Sequence, residues 1–357
     1  MTIVPTVDAR WAGLAADRLR DEDPEFQAVL YEAGLRLADV DDPDARIPFH
    51  MHAALLEIAA RRLGDPLFGL RLGARIHPKR AGLLGAALLG ASTVEDALLS
   101  LERYLRVTGE GVQLDVEIKR KHTILTVTID DPRVAAKRQA VEFAMILLVS
   151  LCRSLTDTLV EPVRIEFEHA PPEKIGVFNR TFGAPVRFEA PRNAITLNTD
   201  DLDLLVRTVE TPLSRRLEGH RREVLDSPPR VKGLPRRVRE QIARLLSTSD
   251  SSIEAVARNL AISARTLERR LKVDGQIFKR VIDDFRRDLA LRYMEDETLT
   301  LPQIAFLLGY SEMASFMHAC QRWTGTTPAR YRASRGHTGP TATTRGRPRG
   351  RRSVPGP

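Results

Sequence analysis

Four long polar side chains crowd a short stretch of the C-terminal third: Arg265, Glu268, Arg269 and Lys272, with Thr266 among them. On a helix these four positions share one face, because residues three and four apart are neighbours around the axis. The chemistry such a face offers is recognition. Arg can donate two parallel hydrogen bonds to the O6 and N7 edge of guanine, Glu can accept from cytosine, and Lys can reach phosphate. Arg265, Thr266, Glu268, Arg269 and Lys272 are therefore candidate nucleic-acid contacts, with Arg265 and Arg269 the candidates for reading a base.

The elements that must position them form a repeated pattern. In SSIEAVARNLAISARTLERRLK, Ile253, Val256, Ala257 and Leu260 line one face of a short helix, Ile262 sits in a turn, and Leu267 and Leu271 line the next helix. Ser251 and Glu254 have capping-box spacing, Ser263 can cap the second helix, and the small Ala257 and Ala261 suit a close helix crossing. The arrangement returns in TLPQIAFLLGYSEMASFMHACQRWTG. Thr300 and Gln303 have capping-box spacing, Pro302 sits in the first turn, Gly309 suits the turn, Ser311 matches Ser263, and Phe316, Ala319 and Trp323 supply a buried side. Its outer side offers Ser311, Glu312, Ser315, Met317, His318, Gln321 and Arg322 as further candidate DNA contacts. Ala257 and Ala305 lie 48 positions apart, which leaves room for a connecting helix. Within it Phe278, Val281, Ile282, Phe285, Leu289 and Tyr293 recur at core spacing. Its Lys279, Arg280, Arg286 and Arg287 are open to phosphate contact or to solvent.

With ARTLERRL, FKRVIDDFRRDLALRYM and LTLPQIAFLLGYSEMASFMHACQRWTGTTPARYR in order, the chain resembles the AraC/XylS family of bacterial transcription regulators over about Leu234 to Ala333. The resemblance implies one all-helical domain whose two recognition helices enter successive major grooves of double-stranded DNA. The sequence also departs from the family pattern. An Arg commonly stands two residues after the Phe of the second recognition helix and an aromatic two further on, but here those positions hold His318 and Cys320. The first recognition helix is thus the stronger expected reader.

Composition agrees with this reading. Residues 231–357 hold 24 Lys or Arg against 12 Asp or Glu, whereas the whole chain is only +8, so the basic charge gathers where the helical repeat lies. Two cysteines, Cys152 and Cys320, make neither a disulfide framework nor a zinc cluster. His50, His52, His77, His122 and His169 have no metal-ligand spacing, and no glycine-rich phosphate loop follows a strand. No metal, cofactor or catalytic group is expected, and the chain reads as a non-enzyme. The start lacks a signal-peptide core, and the longest apolar run, residues 140–152, is too short for a membrane span and contains Glu142. A cytoplasmic protein, associated with the nucleoid when bound to DNA, is the expectation.

The first 207 residues read as a mixed α+β regulatory domain. Helices are expected at 11–21, 24–33, 48–62, 66–73, over Val94–Val107 after a Ser92 or Thr93 cap, and at about 134–155. Strands are expected at 112–118, 122–129, 162–167, 185–188 and 195–197. FGLRLGARI, GLLGAALLGASTVEDALLSLERYLRV, VRIEFEHAPPE and FNRTFGAPVRFEAPRNAITLNTDDLD resemble the arabinose-binding-type N-terminal domain of regulators similar to those of ornithine utilisation and mycobacterial virulence. The resemblance implies an effector or self-association domain without naming its ligand. Tyr104, Arg106, Arg138, Glu142 and His169 are candidate effector contacts, and Arg138 four before Glu142 equally suits an internal salt bridge.

Residues 208–233, with Pro228, Pro229 and Gly233, read as a linker and helical lead-in to a DNA-binding domain over 234–333. Residues 334–357 read as a disordered basic tail whose RGRPRGRR at 345–352 resembles a minor-groove AT-hook but fits a nonspecific basic tail better. The expected function is a sequence-specific transcription regulator and activator. Its N-terminal domain would respond to a small molecule or pair with a second copy, and RNA polymerase would be its downstream partner. The competing expectation is an architectural DNA-binding protein that relies on basic surfaces and the tail.

Overall fold

The computed structural model describes residues 4–42, 45–156, 158–172, 174–207, 209–227, 233–246 and 251–336. The AT-hook-like run, most of the basic tail and Pro228 and Pro229 lie outside the described residues.

The N-terminal domain opens with a two-stranded antiparallel ribbon, β1 (Thr6–Asp8) against β2 (Arg46–Pro48). Between the two strands run α1 (Ala9–Glu22), α2 (Phe26–Glu32) and α3 (Leu37–Asp41). Four helices follow: α4 (Phe49–Arg62), α5 (Phe68–Gly73), α6 (Gly82–Leu89) and α7 (Val94–Thr108). Thr93 caps α7 through the Asp96 amide at 3.2 Å, and Gly109 ends it in the left-handed region at φ 65°.

The remainder is β3 (Val112–Ile118), β4 (His122–Ile129), α8 (Arg138–Leu155), β5 (Arg164–Glu166), α9 (Ile175–Phe182), β6 (Val186–Arg187) and β7 (Asn193–Asn198). They make a sheet in the order β3-β4-β7-β5-β6, antiparallel except for the β5/β6 pair. In β4, Thr123, Leu125, Val127 and Ile129 alternate inward, and α8 packs against β4 and β7. α5 crosses α8 closely. A Cβ at Gly73 would stand 2.7 Å from the Phe143 carbonyl oxygen, and one at Gly69 would collide with the Gln139 carbonyl, so the approach requires hydrogen at both sites.

The C-terminal region is all helix among the described residues. α10 (Pro212–Asp226) leads in, within the segment read as a linker, and packs on the long central helix α14 (Phe278–Glu295). α11 (Leu234–Leu245) precedes a first pair, α12 (Ile253–Asn259) and α13 (Ala264–Val273). Beyond α14 stand a second pair, α15 (Leu301–Leu307) and α16 (Met313–Thr324), and then α17 (Pro328–Gly336). Val281, Ile282, Phe285, Leu289 and Tyr293 of α14 are buried, as their spacing requires. The two domains touch through α7 on α15 and α10 on α6.

Several local expectations move. Ser252, not Ser251, caps α12, accepting from the Ala255 amide at 3.2 Å, while the Ser251 hydroxyl faces Arg286 at 3.4 Å. Ala261 is exposed at φ 56° as the turn residue rather than a helix-crossing contact, and Gly309 takes the same conformation at φ 76°. After those two residues the first turn runs through 262–263, but the second runs through 310–312. The extra residue makes Glu312 the N-cap of α16 in place of Ser311, with no side-chain cap bond. α8 starts at Arg138 rather than 134 because Asp131 builds a turn, accepting from the Arg133 amide at 3.1 Å. The β1/β2 ribbon, α3 and α9 are elements the sequence pattern leaves out.

Candidate nucleic-acid interface

The second helix of each pair is built from the inside outward. In α13, Leu267 and Leu271 are fully buried, which turns Arg265, Glu268, Arg269 and Lys272 to solvent on the opposite side. Ser263 fixes the helix start by accepting from the Thr266 amide at 3.2 Å, and the Thr266 hydroxyl lies 2.9 Å from that of Ser263. Thr266 thus serves the cap and is only half-exposed. Among the described residues, Arg265, Arg269 and Lys272 have no ion-pair partner within the chain.

In α16 the buried residues are Phe316, Ala319 and Cys320, and the exposed ones include Ser311 and Glu312 at its entrance and Ser315, Met317, His318, Gln321 and Arg322 along it. The longer turn shifts the repeat from 48 to 49 residues, so Leu267 corresponds to Phe316 and Leu271 to Cys320. By the same step Arg265, Glu268, Arg269 and Lys272 correspond to Ala314, Met317, His318 and Gln321. α13 presents charge; α16 presents an almost uncharged face.

Arg322 is engaged inside the domain. Its guanidinium meets Asp283 of α14 at 2.6 Å, and the same carboxylate accepts from the Trp323 indole at 3.1 Å. Asp283 therefore ties α16 to α14, a role the sequence reading missed. Arg286 also turns inward: it donates to the Leu308 carbonyl at 2.8 Å and lies over the Tyr310 ring at 4.9 Å. It clamps the second turn, whereas Lys279 and Arg280 stay exposed and Arg287 pairs with Asp284 and Asp288.

The five candidate effector contacts do not converge. Arg138 donates to Glu142 at 2.8 Å and His169 lies 3.5 Å from the same carboxylate oxygen, so these three cluster on α8 and the loop after β5. Glu142 is fully buried, and desolvation pushes its carboxyl up to about 7 despite Arg138. Arg106 is exposed and pairs with Glu102 at 3.0 Å. Tyr104 is elsewhere, on the wall of an apolar cavity of about 90 Å³ shared with Trp11, His52, Phe143, Leu148 and Glu110. The other side of Tyr104 meets the DNA-binding domain: its ring lies edge-on to Phe306 of α15 at 5.2 Å, and its hydroxyl is partnered by Gln303. Arg103 completes the contact, over the Phe306 ring at 4.5 Å. Among the described residues, no group of three or more His, Cys, Asp or Glu could hold a metal ion, and no helix is long and apolar enough to cross a membrane.

A mixed α/β domain followed by an all-helical domain with two helix-turn-helix units defines a sequence-specific DNA-binding transcription regulator. The chain belongs to the AraC/XylS family. Residues 25–206 match the model of the arabinose-binding domain of AraC transcription regulators, and residues 256–334 match that of a helix-turn-helix domain. The chain is 29% identical over 327 residues to the ornithine utilization regulator of Pseudomonas aeruginosa, covering 91% of this chain and 96% of that protein. It is 31% identical to the HTH-type transcriptional regulator VirS of Mycobacterium tuberculosis, covering 80% of this chain and 84% of that one. A crystal structure of the regulator CdpR from Pseudomonas aeruginosa aligns over 92% of this chain and 98% of its own, at 24% identity and a TM-score of 0.44. These relatives are regulators, and the chain stands with them as a non-catalytic protein.

Proposed function

We propose that this regulator reads its operator chiefly through α13, with Arg265 and Arg269 on base edges, Glu268 beside them and Lys272 on phosphate. α16 seats the domain in the next major groove through Ser315, Met317, His318 and Gln321. Ser311, Glu312 and Thr266 act at the helix entrances, and Arg322 braces α16. The observation that carries this reading is the exposed, internally unpaired Arg265–Arg269–Lys272 face opposite the buried Leu267 and Leu271. Residues 1–207 form the regulatory domain, 208–233 the lead-in, 234–333 the DNA-binding domain and 334–357 a basic tail. Control enters through the regulatory domain, by a small molecule or by pairing with a second copy, and the output is recruitment of RNA polymerase as an activator in the cytoplasm, at the nucleoid.

Footprinting on the promoter of its own gene tests the reading. Arg265→Ala and Arg269→Ala are each expected to lower the preference for the operator over random duplex by about 1–3 kcal/mol, roughly 5- to 150-fold. Retention of the footprint by both variants, with loss on removal of residues 334–357, would identify an architectural DNA-binding protein instead.

A further inference from the structure

The cavity behind Tyr104 carries a further inference, which rests on the reading that the regulatory domain controls DNA binding. Its wall is almost wholly apolar, and His52, one of its few polar residues, carries an unmet hydrogen-bonding need. His52 is 2% exposed, packs edge-on to Phe143 at 5.7 Å, and its Nδ1 has no hydrogen-bond partner. A buried polar atom left unpaired is costly, and a guest with a matching group would remove that cost. Burial also pushes the His52 imidazole down to about 4, so it meets a guest as a neutral ring.

The two carboxylates on the wall narrow the guest further. Glu110 already accepts from Arg46 at 2.9 Å, and Asp8 accepts from the Arg10 amide at 3.0 Å with the Arg10 side chain 3.5 Å away. A cationic guest would compete with these arginines, and an anionic guest would face two acids in an apolar enclosure. Neither charge sign is accommodated. The remaining chemistry is an uncharged apolar molecule with one hydrogen-bonding group.

The cavity wall also touches the second helix-turn-helix. Gln303 uses its side-chain oxygen to cap α15, accepting from the Thr300 amide at 2.9 Å, which leaves its amide nitrogen to donate to the Tyr104 hydroxyl. Tyr104 therefore lines the cavity while its hydroxyl meets the first helix of the second helix-turn-helix unit.

We propose that this cavity is the effector site for a neutral, largely apolar small molecule that hydrogen-bonds His52, and that Tyr104 passes its occupancy to α15 through Gln303 and Phe306. Tyr104 is a positioning residue in this scheme. A guest that shifts its ring changes the seat of α15, and with it the spacing of the two readers.

The test uses the full chain and primary alcohols from ethanol to pentanol beside the carboxylates of equal length. Binding is read from Trp11 fluorescence, which the cavity adjoins, and from melting temperature. An alcohol is expected to bind at least about 100-fold more tightly than its carboxylate, given the cost of an unpaired buried charge. His52→Leu is expected to weaken the alcohol about 3- to 10-fold, and Ala144→Phe, which fills the cavity, to abolish binding. Tyr104→Phe is expected to leave alcohol binding intact while removing its effect on operator affinity. If no alcohol binds wild type more than it binds Ala144→Phe, or if the carboxylates bind equally well, the site assignment fails. If alcohols bind but Tyr104→Phe still passes the effect to DNA, the coupling route fails. A protein that binds no operator with or without alcohol sinks the functional reading while leaving the alcohol measurement to judge the cavity.

Discussion

Glu142 shows how far a single position can be read. Its spacing from Arg138 predicts an ion pair, and the 2.8 Å contact is present, but the sequence does not show that the carboxylate sits at 0% exposure with its second oxygen unpartnered. Desolvation then outweighs the arginine, and the carboxyl is raised from 4.5 to about 7. A raised acid binds its proton more tightly folded than unfolded. Its contribution to stability is therefore full below about 4.5 and is lost as pH climbs through about 7. Glu142→Gln imitates the protonated form. Thermal melts should show it matching wild type at pH 5 and melting higher at pH 8; a lower melting temperature at pH 8 would mean that the charge pair with Arg138 dominates. Residue-level reasoning fails in the same way at His52, whose lack of metal spacing says nothing about its unpaired nitrogen on a cavity wall.

Long, strongly periodic elements were the legible ones. The alternation in HTILTVTI and the three- and four-residue spacing along Phe278–Glu295 specify β4 and α14 without tertiary help. The three-residue strands β1 and β2 and the five-residue α3 are too short to show a period, and they exist because neighbours complete them. The turns illustrate both outcomes. Gly309 announces a left-handed residue, whereas Ala261 in the matching place does not, although it adopts φ 56°. Ala261→Gly should raise stability by up to about 1 kcal/mol, since the strain disappears at an exposed site. Gly309→Ala should lower it by more than about 1 kcal/mol, because strain is joined by a Cβ 2.9 Å from the Leu246 carbonyl oxygen. Denaturant midpoints decide the matter, and equal shifts of one sign would contradict it. The extra residue in the second turn was hidden because Ser311 looks like a cap as good as Ser263.

At the scale of the whole molecule the charge bias and the paired helical pattern foretold a DNA-binding regulator, and family membership agrees. The contact of α7 with α15 was beyond sequence reading, since Tyr104 and Phe306 are two hundred residues apart in the chain and each looks like ordinary core. That contact places the N-terminal domain directly on the second helix-turn-helix unit, whose outward face is nearly uncharged. On the proposed reading α13 discriminates and α16 seats the domain. The direct measurement is the ratio of affinities for the operator and for a scrambled duplex of equal length, across a range of salt, for wild type, Arg269→Ala and His318→Ala. The account predicts a loss of roughly 5- to 150-fold in that ratio for Arg269→Ala and less than about 3-fold for His318→Ala. A ratio that collapses in His318→Ala and survives in Arg269→Ala would contradict it.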